Sequence, residues 1–193
     1  MQNDTSFARL VSLACHDVRT PLATVHGFAK TLERTTDLAP PADRYVEMIG
    51  AASQQMAELL DELSLAARIE AGRYDPVRRE TDTLALANAA RERLGEERVA
   101  VSGEGATITT DVEAVDRGVS ALIQAALRHG GLDEVAVAVR GTSIDVTPVT
   151  DSSARVVVGD DLRDLGAAVA VLAISHLGGS VAVVDETLTI SLG

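Results

Sequence analysis

Within six residues, His16-Asp17-Val18-Arg19-Thr20-Pro21, the chain gathers an imidazole, a carboxylate, a guanidinium, a hydroxyl and a helix-bending proline. A neutral imidazole nitrogen can attack phosphorus, and a neighbouring carboxylate can orient the ring and accept its other proton. That chemistry requires His16 to face water. Apolar residues around it fall at helical spacing: Phe7, Leu10, Val11, Ala14, Val18, Leu22, Val25, Phe28, Ala29 and Leu32. At about 100° per residue this stripe centres roughly 180° from His16, so the histidine is expected to point to solvent. Thr20, one turn later, shares its face and Asp17 lies on its flank. Pro21 lacks the N–H that would pair with the carbonyl of Asp17, so a bend is expected beside the histidine. Cys15 and His16 diverge by about 100° and do not converge on a metal, which leaves Cys15 as a small packing residue.

The elements that must carry these residues are set by the same periodicity. One long helix is expected from about Asn3 to Thr36, broken by TTDLAPPAD, whose two prolines stop it and whose Asp can cap the next helix. A second run (Val46, Ile49, Ala52, Met56, Leu59, Leu60, Leu63, Ala67) reaches about Arg73, with Gly72 at the helix end and Pro76 preventing continuation. Two long helices on a short loop make an antiparallel hairpin, and alone it leaves much of its apolar stripe in water. Two copies pairing as a four-helix bundle solve that problem, so a homodimer is expected.

Beyond Pro76 the pattern changes. Leu84 to Leu94 reads as a helix, and VAVSGEGATITTD as two strands around a turn containing Gly103 and Gly105. Asp111 to His129 reads as a helix capped by Asp111 and closed by Gly130 and Gly131. After it come a hairpin (VAVAVRGTSIDVTPV), an apolar helix from Leu165 to Leu177 and two final strands. The expected fold is α+β: a helical hairpin over residues 1–75, forming a dimeric four-helix bundle, then an α/β sandwich over 76–193. The sandwich should hold one mixed sheet with helices on one face.

Composition narrows the function. The net charge of −12 argues against nucleic acid and against an anionic membrane surface, since both need concentrated basic charge. No apolar run approaches the roughly 20 residues of a membrane span, and the N-terminus lacks a signal-peptide pattern. A single cysteine excludes an internal disulfide and fits a reducing cytosol. A cytoplasmic protein is expected. His26, His129 and His176 show no metal-ligand spacing and read as surface or capping residues.

The string His16-Asp17-Val18-Arg19-Thr20-Pro21-Leu22 resembles the H-box of histidine kinases, and LLDELSLAARIEAGRY (Leu59 to Tyr74) resembles the end of their dimerisation and histidine-phosphotransfer domain. The resemblance covers nearly all of residues 5–75. It implies His16 as phosphoacceptor, Asp17 as acid/base partner, Thr20 positioning a water during dephosphorylation of a partner, and Arg19 and Pro21 in support. It also implies a response-regulator receiver domain as partner, for which Leu13 and Ala23 offer small apolar contacts.

The second half is similar to the family's ATP-binding domain, with departures. DVEAVDRGVSALIQAALRH (Asp111 to His129) resembles the N-box helix, but its two asparagine positions are Ala121 and Ala125. In the family the position of Ala125 supplies an oxygen to Mg²⁺, a hard cation that needs oxygen ligands. The adenine-reading Asp-x-Gly-x-Gly becomes TDSSARVVVGDD, where Asp151 could stand in for the acid but no glycine pair comes after it. The later glycine box is reduced to Asp164-Leu165-Gly166-Ala167, with negative charge where triphosphate should sit. LAISHLGGSVAVVDETLTISL keeps the family's closing helix, its Gly178–Gly179 turn and its last strands. No cofactor is expected, neither ATP nor Mg²⁺, and any Mg²⁺ would sit on the partner receiver. The expected function is histidine phosphotransfer between receiver aspartates through His16. A divergent autokinase and a non-catalytic dimeric scaffold are the alternatives.

Overall fold

The computed structural model describes residues 2–35 and 38–193, and the side chains of 7–34 and 38–193. The chain divides into two compact units, Met1–Arg73 and Tyr74–Gly193.

The first unit is a pair of long helices, α1 (Gln2–Thr35) and α2 (Ala42–Glu70). The expected helix end at Thr36 lies outside the described residues. The capping expectation needs correction: Asp37 lies outside them too, and Asp43 falls inside the first turn of α2, where Pro41 holds the N-cap position without a side-chain hydrogen bond. At the other end α2 stops at Glu70, three residues before Arg73, and Gly72 takes the left-handed φ of +63° that ends the helix.

The apolar stripe of α1 does two jobs. Its flank Ala8, Cys15, Leu22 and Ala29, one residue every seven, is buried at 2–8% exposure. Facing it, α2 buries Gly50 and Ser53, whose hydroxyl donates to the carbonyl of Ile49 (2.6 Å). A Cβ at Gly50 would come within 3.2 Å of Glu33 Oε1 and 3.9 Å of Ala29 Cβ, so the helices approach closely there. The centre of the stripe stays in water: Phe7, Val18, Val25, Phe28 and Leu32 on α1, with Tyr45, Ile49, Met56, Leu59 and Leu63 on α2, are 37–68% exposed.

The second unit holds β1 (Arg78–Asp82), α3 (Thr83–Leu94), β2 (Val99–Gly105), β3 (Thr107–Asp111), α4 (Val112–Gly130), β4 (Val135–Gly141), β5 (Ser143–Thr147), α5 (Asp151–Val157), α6 (Leu165–His176), β6 (Ser180–Val184) and β7 (Thr187–Ser191). A five-stranded mixed sheet has the order β2-β4-β5-β7-β6, with β2 parallel to β4 and the other neighbours antiparallel. Alternate residues Val137, Val139, Ile144, Val146, Leu188 and Ile190 join Leu122, Ile123 and Leu127 of α4 in one fully buried cluster. Each such side chain contributes roughly 1.5–3 kcal/mol.

Two strand expectations are corrected. β2 and β3 do not pair around a glycine turn: β2 joins the large sheet beside β4, whereas β3 pairs with β1, a strand not foreseen, as a separate two-stranded ladder. Gly103 and Gly105 therefore lie inside β2. Gly103 has φ +102°, and a Cβ there would collide with the carbonyl oxygen of Val139 across the ladder. The segment after Pro148, for which the periodicity predicts no element, forms α5. Thr150 caps it with a box completed by Ser153, and Val156 and Val157 are fully buried.

Candidate functional site

The H-box residues sit near the middle of α1, which runs unbroken through Pro21. His16 and Asp17 are both exposed, with side chains 77% and 69% accessible, and His16 Nδ1 lies 3.2 Å from Asp17 Oδ1. A carboxylate is only an acceptor, so Nδ1 is the donor in this contact. Thr20, Leu13 and Ala23 are exposed as expected. Thr24 Oγ1 donates to the carbonyl of Thr20 (3.2 Å), one turn back along the helix. Cys15, adjacent in sequence, is 2% exposed, on the packed side of the helix.

Arg19 makes a contact that sequence reasoning missed. Its guanidinium donates to Asp61 Oδ1 at 2.6 Å, joining α1 to α2 one turn from His16. Asp61 belongs to the LLDELS string, and its offset from the apolar positions of α2 was the available signal. Register across the hairpin, which no local pattern encodes, decides the pairing.

In the second unit Asp111 caps α4 through Ala114 N–H (3.2 Å) and accepts from the Tyr74 hydroxyl (2.8 Å) and Val77 N–H (3.1 Å). Burial pushes its carboxyl up, but these hydrogen bonds outweigh burial and hold it below the ordinary carboxylate value. Ala125 is fully buried and Ala121 partly, both against the core, and neither side chain carries an oxygen. Asp151 is an exposed residue of the first turn of α5.

Asp164 is the most connected acid in this region. It is the N-cap of α6 and 6% exposed, accepting from Ala167 N–H at 3.1 Å, from His129 Nε2 at 2.9 Å and from the guanidinium of Arg128. Burial raises its pKa, but the Ala167, Arg128 and His129 contacts together lower it below the ordinary value. The charge that an anion would otherwise supply at this helix N-terminus comes from the chain itself. His129 is thus a carboxylate partner, and His176 tilts against Tyr74 with ring centroids 5.6 Å apart. Among the described residues no group of three or more His, Cys, Asp or Glu could hold a metal ion, and no helix is long and apolar enough to cross a membrane.

A solvent-facing histidine thus lies on a long helical hairpin, and a mixed sheet layered with helices follows it along the chain. Residues 8–72 match the family described as His Kinase A (phospho-acceptor) domain. Over these residues the chain is histidine kinase-like. Sensor histidine kinase TrcS of Mycobacterium tuberculosis is 32% identical over 73 residues, 37% of this chain and 14% of that protein. Full-length ShkA, solved in complex with AMPPNP, superposes over 94% of this chain and 44% of its own, with a TM-score of 0.68 and 19% identity. The histidine kinase AdeS of Acinetobacter baumannii superposes over 92% of this chain and 98% of its own, with a TM-score of 0.57 and 16% identity. At such identities the two structures establish the fold alone. The chain spans well under half the length of TrcS and less than half that of ShkA. Domains of this family generally homodimerise and partner with response regulators.

Proposed function

We propose that the chain is a dimeric, cytoplasmic histidine phosphotransferase of a phosphorelay, loaded by receiver domains and not by nucleotide. His16 Nε2 attacks the phosphorus of a receiver aspartyl phosphate. The N–P bond forms as the P–O bond breaks, and the receiver carboxylate leaves with the electron pair. Asp17 steadies the ring through Nδ1–H and accepts that proton as positive charge develops on the imidazole. The reverse passage delivers the phosphoryl group to a second receiver, where Mg²⁺, if used, sits on that partner. Thr20, on the same face, is placed to orient a water for dephosphorylation, while Arg19 and Pro21 support the local geometry.

The observation that carries phosphotransfer over autokinase activity is Asp164. A fixed carboxylate held by Arg128, His129 and the α6 N-terminus opposes a triphosphate at that position, and Ala125 offers Mg²⁺ no oxygen. These residues do not fit Mg²⁺–ATP as the fold's relatives are expected to hold it. The exposed centre of the α1–α2 stripe supports the homodimer, because a second copy would bury it as a four-helix bundle. Buried, unpaired Cys15 suits a reducing compartment.

The test mixes the protein with a labelled, phosphorylated receiver domain and tracks label onto His16, with His16→Ala as the control. No transfer, where a known phosphotransferase takes label from the same receiver, overturns the proposal. Label from ATP and Mg²⁺ that disappears in His16→Ala would establish an autokinase instead.

A further inference from the structure

The Arg19–Asp61 bridge does little for folding, since both side chains are nearly half exposed (43% and 48%) and such pairs contribute little. The hairpin is held by the buried seam of Ala8, Cys15, Leu22 and Ala29 instead. What sets the pair apart is its place. Arg19 lies three residues beyond His16, so the two side chains are neighbours on the helix surface. The guanidinium is permanently charged and well shaped to hold phosphoryl oxygens. Left unpaired, it would be drawn to the dianionic phosphoryl group of phospho-His16 and would stabilise the loaded state against onward transfer. Asp61, reaching from α2, holds it at 2.6 Å and cancels its charge.

We propose that Asp61 is a positioning residue for phosphotransfer: it detains Arg19 on the α2 flank of His16 and so keeps the phosphoryl group labile. The inference rests on His16 being the phosphoacceptor. A guanidinium about 6 Å from a dianion, in water-like dielectric and at physiological salt, shifts the loaded-state equilibrium roughly three- to tenfold.

The substitution to examine is Asp61→Asn, which keeps shape and removes charge. His16 is loaded with phosphoramidate, a small chemical donor, and the half-life of phospho-His16 is measured; receiver-dependent transfer is measured beside it. Expected are a phospho-His16 half-life longer by about three- to tenfold and a matching fall in kcat for onward transfer. KM for the receiver should stay unchanged, the effect should shrink with added salt, and Asp61→Glu should restore parental behaviour. Adding Arg19→Ala to Asp61→Asn should abolish the gain, because the detained group is gone. Parental half-life in Asp61→Asn, or a gain that persists without Arg19, overturns the proposal; so does a change confined to KM. The chemical loading needs no receiver, so failure of receiver transfer with a normal phosphoramidate result would count against the phosphorelay reading alone.

Discussion

Removing the carboxylate at the head of α6 is the most informative perturbation of the second unit. In Asp164→Ala the helix loses its N-cap, about 1 kcal/mol. His129, mostly buried, loses its 2.9 Å partner, about 1 kcal/mol more. Arg128 is 59% exposed and can turn to water, so its pairing adds about 0.5 kcal/mol. The sum is about 2–3 kcal/mol. For a unit of this size that lowers Tm by about 8–12 °C, read from thermal unfolding at pH 7 with urea unfolding as a check. Asp164→Asn keeps a capping oxygen and should lose about half as much. The pH dependence carries its own sign. Because the folded carboxyl sits below its ordinary value, the native state holds fewer protons than the unfolded chain between the two pKa values. The contribution is complete above the unfolded value near 4 and is lost as pH falls through the lowered folded value. The difference between parent and Asn variant should therefore narrow below about pH 4. A Tm loss under about 2 °C in Asp164→Ala, or a difference that widens in acid, would refute the reasoning.

Val25→Glu places a charge in the 46% exposed centre of the α1 stripe and should convert a dimer to a monomer at micromolar concentration, as measured by sedimentation equilibrium. Gly103→Ala forces a side chain onto a left-handed φ of +102° and into the carbonyl of Val139; it should destabilise the second unit by about 3 kcal/mol in urea unfolding, with the helical hairpin unaffected. Asp17→Asn cannot accept the proton from His16 Nδ1 and should slow label transfer onto His16 by roughly 10²-fold, with receiver binding retained in titration calorimetry.

Legible in advance was whatever neighbouring residues decide among themselves. Asp111 as a cap, Gly131 closing α4 in the left-handed region, and the outward direction of His16 all arise from spacing within one helix. β1 was invisible because Arg78-Arg79-Glu80-Thr81-Asp82 has no apolar alternation, and its strand conformation comes from β3, some thirty residues on. The same distance effect redirected β2, whose glycines look like a turn until the close approach of β4 explains them. In α5 the signal was present, a Thr150–Ser153 box ahead of two valines, but the glycine-rich pattern that the family carries at that place masks it. Asp61 and the partners of Asp164 depend on which helices meet, information held by the assembled units.

Cys15 and His16 are neighbours in the chain yet face different surroundings, one sealed at 2% exposure and the other open to water. Their angular offset is fixed by the helix, so α1 cannot roll about its axis without moving both. A roll large enough to tuck the imidazole toward the seam would turn the thiol out toward solvent. The protein thus carries its own goniometer: the rate at which a maleimide labels Cys15 reports, without any tag, how steadily the reactive ring is held outward.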